Sequence, residues 1–151
     1  MKKASSADVP QLVALMAEFY AEAAFPLNHA RAADAFTALL ADERFGHVWL
    51  IQADTRDVGY VVVTLSYSME YGGASACIDD LFIQPAHRNL GLGTAALAEV
   101  RELCRQRGIR SIHLEVARDN APAQTVYRRA GFVSTDRQLL TLQLADPTHI
   151  E

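Results

Sequence analysis

The sequence predicts a mixed α+β domain, a central sheet that is mostly antiparallel, with one parallel strand pair and flanking helices. Three observations predict it. Two segments with helical apolar spacing come first, and three β-rich runs joined by short polar turns follow them. A strand–helix–strand pattern then spans residues 76–117, which requires a parallel pair with a right-handed crossover. At 151 residues, without repeats or linker-like tracts, the chain reads as one domain over residues 1–151.

The elements follow in order. Lys2–Ala4 can form a short first strand. Ser6 or Asp8 offers an N-cap, Pro10 suits a first turn, and Leu12, Leu15, Met16, Phe19 and Ala23 keep helical spacing to about Ala24. Phe25-Pro26 breaks this helix. Asn28 can cap a second one, with Phe36, Leu39 and Leu40 on its buried side and an end near Asp42. His47–Ala53 and Gly59–Tyr67 read as an antiparallel hairpin around the polar turn Asp54–Asp57, and Ala76–Ile83 as a third strand after Tyr71-Gly72-Gly73. Leu92, Ala96, Leu97, Val100 and Cys104 mark an amphipathic helix to about Arg107, with Gly108 at its C-cap. Ser111–Ala117 alternates as a strand. Asp119-Asn120-Ala121-Pro122 opens a short helix to about Ala130, and Phe132–Leu144 carries β character again.

Composition narrows the function class. Half the residues are apolar and the net charge is −4, which argues against general nucleic-acid binding. Arg101, Arg105, Arg107, Arg110, Arg128 and Arg129 read as solvated helix faces. Cys77 and Cys104 show no metal or redox spacing and lie in apolar segments. Buried free thiols in a reducing compartment, and hence a cytoplasmic protein, are expected. No leader-like or membrane-spanning run is seen, so no membrane partner is expected. His29, His47, His87, His113 and His149 are scattered, and no metal is expected.

The stretch Ile78–Thr94, IDDLFIQPAHRNLGLGT, is the chemical centre. An apolar strand runs into a loop with Arg88, and then Gly91 and Gly93 open a helix. Helix-start amides left bare by glycines form an anion site, so a phosphorylated cofactor is expected here. A P-loop is excluded because no Lys-Ser/Thr pair follows the last glycine. Gly91-Leu92-Gly93-Thr94-Ala95-Ala96 meets the loose dinucleotide pattern, but Gln84–Leu90 separates it from the strand, against the tight turn that pattern needs.

Arg88-Asn89-Leu90-Gly91-Leu92-Gly93 instead resembles [Q/R]-x-x-G-x-[G/A], the pyrophosphate loop of the GNAT superfamily of coenzyme-A-dependent N-acyltransferases. Upstream, Ile78–Pro85 is similar to that family's fourth strand. Downstream, Asn120-Ala121-Pro122-Ala123 with Tyr127 and Ala130-Gly131-Phe132 is similar to its second signature. The resemblance runs from about Ala76 to Phe132 and implies a GNAT-like fold with a splayed fourth and fifth strand.

The resemblance implies a cofactor site and an activity. Arg88, Asn89, Leu90, Gly91, Leu92, Gly93 and Thr94 would hold the pyrophosphate of acetyl-CoA. Leu81, Phe82 and Ile83 would bind the pantetheine arm through free backbone amides, and Asn120 would reach toward the cofactor. Asp79 occupies a position where related enzymes often carry a carboxylate base, with Asp80 and Glu115 as alternatives. Strand alternation would let only one of the Asp79–Asp80 pair line the site unless a bulge intervenes. Tyr127 matches the general acid for the leaving thiolate. Phe19, Tyr20, Tyr67, Glu70 and Tyr71 are candidates for acceptor binding. The expected function is direct acetyl transfer from acetyl-CoA to a small-molecule amine in a ternary complex. Acetylation of protein N-termini or lysines and a non-catalytic acyl-CoA-binding domain are the alternatives. The family analogy allows a homodimer.

Overall fold

The computed structural model describes residues 1–145. Its elements are β1 (Lys2–Lys3), α1 (Val9–Glu22), α2 (His29–Ala41), β2 (Gly46–Ala53), β3 (Arg56–Ser68), β4 (Gly73–Ile83), α3 (Leu92–Gln106), β5 (Ser111–Leu114) and α4 (Ala121–Arg129). One sheet has the order β1-β2-β3-β4-β5, antiparallel except for the β4–β5 pair. The two helical faces explain why the central strands read as continuous apolar runs. Tyr60 and Val62 of β3 face α1 and α2 with Leu12, Leu15, Phe36 and Phe82, while Val61 and Val63 face α3 with Leu97, Val100 and Cys104. A strand buried on both faces has no polar side to show.

Local chemistry sets the helix starts. Asn28 Oδ1 accepts from Arg31 N at 3.0 Å and caps α2. Asn120 Oδ1 accepts from Ala123 N at 3.3 Å and caps α4. Gly91, with φ of 80°, caps α3 in a left-handed conformation that a side chain resists.

Two features position the site. Val62 pairs with Asp80 and Val63 with Ile78, so Asp79 is the extra residue of a β-bulge in β4. Pairing of β4 with β5 covers only Ser75–Ile78 against Ser111–Leu114 and ends where the bulge begins. A bulge bends its strand. Beyond it, Asp79–Ile83 have no β5 neighbour, and the two strands are splayed.

The structure shortens one expected strand and removes another. β5 ends at Leu114 rather than Ala117, because β4 no longer offers a ladder past Ile78. Residues 132–144 form no strand, and Leu139, Leu140, Leu142 and Leu144 are exposed. Their alternation is β-like, but an extended segment without a hydrogen-bonding partner is not a strand.

Candidate active site

The bulge brings both acids of β4 to one place. Asp79 and Asp80 line a single cavity of about 100 Å³ between the sheet and helices α1 and α2, together with Tyr20. Its other walls are apolar: Met16 from α1, Ala32, Ala35, Phe36 and Leu39 from α2, and Val62 from β3. Asp80 Oδ2 accepts a 2.8 Å hydrogen bond from the hydroxyl of Tyr60, which is wholly buried. Burial pushes the Asp80 carboxyl up to about 6; the Tyr60 hydrogen bond opposes this and the charge of Asp79 adds to it. Burial and the two aspartates push the Tyr20 phenol up to about 12.

On the other side of β4 lies the glycine loop. The first amide of α3 with an acceptor in its own turn is Ala95, which donates to Gly91 O at 3.0 Å. The amides of Leu92, Gly93 and Thr94 have no helical acceptor and carry the positive end of the helix dipole. Asn89 also takes a positive φ, 61°, so the chain turns sharply before Leu90 and Gly91. A side chain at Gly91 would meet nothing within 4 Å, and one at Gly93 only Ile83 Cδ1 at 3.6 Å. Neither glycine has a crowding neighbour where a side chain would stand.

Arg88 does not simply project from the loop. Its Nε donates to Ile83 O at 2.8 Å, and its two terminal nitrogens grip the Glu22 carboxylate at 2.8 and 2.7 Å. Its guanidinium also lies 5.7 Å from the ring centre of Phe82. One turn earlier on α1, Glu18 accepts from Gln84 Nε2 at 3.1 Å. The helix that lines the cavity is thereby latched to the loop by two acids at i and i+4. Glu18, Glu22 and Tyr60 were not anticipated. The acids lie 66 residues from their partners, which no local pattern reveals. A tyrosine in the run Tyr60–Val63 did signal a buried hydroxyl needing a partner.

The remaining candidates fall in separate places. Leu81, Phe82 and Ile83 lie on the stretch of β4 that pairs with β3 but has no β5 neighbour, and Phe19 stacks on Phe82 with ring centres 5.3 Å apart. Tyr127 packs edge-on against Phe132 at 6.0 Å, and burial pushes its phenol up. Tyr67 pairs with Ala74, about 16 Å along β4 from Asp79 at strand rise, and Glu70 and Tyr71 lie farther out in the β3–β4 turn. There Glu70 pairs with Arg137 at 2.6 Å and Tyr71 meets the His113 ring at 5.7 Å. Glu115 is exposed beyond the end of β5. Burial pushes both cysteine thiols up. Among the described residues, no group of three or more His, Cys, Asp or Glu side chains could hold a metal ion, and no helix is long and apolar enough to cross a membrane.

Comparison with known proteins adds the following. The profile of the acetyltransferase (GNAT) family matches residues 12–132. Streptothricin acetyltransferase from Streptomyces lavendulae is 40% identical over 55 residues, 36% of this chain and 29% of that protein's length. The chain thus spans less than a third of that relative. Aminoglycoside N(6')-acetyltransferase type 1 from Stenotrophomonas maltophilia is 26% identical over 140 residues, covering 91% of this chain and 88% of the relative. Among solved structures, an integron cassette protein from the mobile metagenome of Cole Harbour Salt Marsh superposes with a TM-score of 0.87. It is 46% identical, covering 97% of this chain and 91% of the other.

Proposed function

Because this chain belongs to the acetyltransferase (GNAT) family, we propose that it transfers an acetyl group from acetyl-CoA to the primary amine of a small molecule, by direct attack with both substrates bound. One observation carries this reading. An acid-lined cavity and an open, amide-lined edge meet at the same residues of β4, with the bulge at Asp79 between them.

The residues fit acetyl-CoA. Bare amides at the start of α3 suit a pyrophosphate, with Arg88, Asn89, Leu90, Gly91, Leu92, Gly93 and Thr94 forming its cradle. Arg88 uses three of its five N–H donors on Ile83 and Glu22, which leaves two for phosphate oxygens. The edge of β4 at Leu81, Phe82 and Ile83, paired with β3 but not with β5, would bind the pantetheine arm, and an outward-facing amide there would stabilise charge developing on the acyl oxygen. When bound, acetyl-CoA supplies an activated acyl carbonyl and a thiolate leaving group.

Proton transfer falls to two side chains. Asp80 accepts a proton from the substrate ammonium, since a carboxyl raised toward 6 is a better base than an ordinary one and is still ionised at neutral pH. Asp79, the residue favoured from sequence, lines the same cavity and attracts the ammonium to it. Tyr127 donates its phenolic proton to the departing thiolate, whose ordinary range lies near 8.5. Tyr20 lines the acceptor cavity, and Phe19 supports it through Phe82. The streptothricin and aminoglycoside acetyltransferases among its relatives support a small-molecule acceptor.

A screen of amines with acetyl-CoA, following free thiol release, tests this. Thiol release with small amines supports it. Acetyl-CoA binding without turnover on any amine would instead identify a non-catalytic binder, and turnover confined to polypeptides would identify a protein acetyltransferase.

A further inference from the structure

The cavity beside Asp79 and Asp80 restricts the acceptor. We propose that it takes a primary alkylamine whose ammonium meets the two aspartates and whose unbranched stem of about four carbons fills the apolar pocket. This rests on the acetyltransferase reading and specifies its acceptor.

Volume, polarity and charge each support this. An apolar cavity of about 150 Å³ accepts benzene, so one of about 100 Å³ accepts roughly four carbons. Six apolar side chains form its walls, and the space itself comes from α2, where Ala32 and Ala35 stand one turn before Phe36 and Leu39. A larger residue at either alanine would occupy it. The polar side chains are confined to Tyr20 and the two aspartates. A polyhydroxylated sugar would bury hydroxyls there without enough partners, at a cost for each one.

Charge excludes another class. No Lys, Arg or His side chain lines the cavity, so it offers no cation to a substrate carboxylate. The carboxylate of an α-amino acid, one carbon from its amine, would lie against Asp79 and Asp80 and be repelled at short range. The site thus selects a cation on an apolar stem.

The test is a series of linear amines from ethylamine to hexylamine, with glycine, kanamycin and a lysine-containing peptide, assayed with acetyl-CoA. The expected kcat/KM rises about fourfold per methylene from ethylamine to butylamine, as buried CH2 groups are added, and then levels off. Glycine and kanamycin should fall at least about 100-fold below butylamine, the size of loss expected when buried polar groups lack partners. Preference for glycine or kanamycin over butylamine would overturn the alkylamine proposal while leaving acetyl transfer intact, and preference for the peptide, whose lysine carries the same four-carbon stem, would overturn a free amine as the acceptor. No thiol release with any acceptor, despite calorimetric binding of acetyl-CoA, would overturn the acetyl-transfer reading and this proposal with it. Ala35 is exposed at the cavity edge, so Ala35→Phe fills the mouth without disturbing the core. It should raise the butylamine KM at least about tenfold with the acetyl-CoA Kd unchanged, a loss equivalent to about two buried methylenes. An unchanged butylamine KM would show that the cavity is not the acceptor site.

Discussion

The buried hydroxyl of Tyr60 donates to Asp80 Oδ2 at 2.8 Å, so one of the two carboxylates lining the cavity is oriented by the sheet core itself. Tyr60 packs edge-on against Phe36 at 6.0 Å and cannot easily follow Asp80 if that residue moves. The pair is a fixed device, with one oxygen held and the carboxyl tuned upward by burial.

That tuning predicts the pH profile. If Asp80 is the base, kcat/KM should fall tenfold per unit on the acid side below about 6. The Tyr60 hydrogen bond favours the ionised carboxylate and lowers its pKa, so Tyr60→Phe should move the acid limb to higher pH. Kinetics across pH 5–8 check this; a limb unmoved or moved to lower pH would remove Asp80 from the role.

Tyr127→Phe separates acid catalysis from binding. The ring and its contact with Phe132 survive, and only the proton donor is lost. Turnover should drop by about 10² to 10⁴ while acetyl-CoA affinity changes little. Unchanged turnover would leave Tyr127 as a packing residue.

What could be read from the residues, and what could not, divides along physical lines. Element types from Lys2 to Arg129 follow from local periodicity and caps, and the glycine loop with Asn120 and Tyr127 carries a family pattern. The bulge at Asp79 is different. It is a property of pairing between β3 and β4, and alternation alone would have put Asp79 and Asp80 on opposite faces. The Arg88–Glu22 clamp likewise depends on how α1 crosses the loop. Residues 132–144 mislead in the opposite sense, since β-propensity measures fit to a sheet and these residues pair with no strand.

Gly91 carries φ of 80° with open space around it, so substitution acts through the backbone and through the phosphate, not through the core. Gly91→Val should cost roughly 1–2 kcal/mol in stability and leave a folded protein. Acetyl-CoA binding should be lost, because the branched side chain occupies the approach to the amides. Normal calorimetric binding would place the pyrophosphate elsewhere.

The Arg88–Glu22 clamp is partly exposed, and its removal should cost at most about 1 kcal/mol of stability. Its effect should appear instead in the cofactor. Glu22→Gln loosens the guanidinium that the carboxylate orients, so the acetyl-CoA KM should rise several-fold with kcat little changed. If both constants are unaffected, Arg88 is held well enough by Ile83 alone.

Asp80→Asn sets function against stability, and the sign can be worked out. The unfolded carboxyl titrates near 3.8 and the folded one near 6, so between these values the folded state binds more protons. Stability therefore falls as pH rises through that window and stays at its lower level above it. Ionised Asp80 costs the folded protein at most ~3 kcal/mol at pH 8. Asparagine keeps an oxygen for the Tyr60 hydroxyl and carries no charge. The variant should thus melt higher than the parent at pH 8, the difference should shrink toward pH 4, and turnover should fall by about 10² or more. Thermal melts at the two pH values with parallel assays check all three. A variant no more stable at pH 8 would mean that water reaches Asp80 freely, and that its carboxyl is not tuned for the base role.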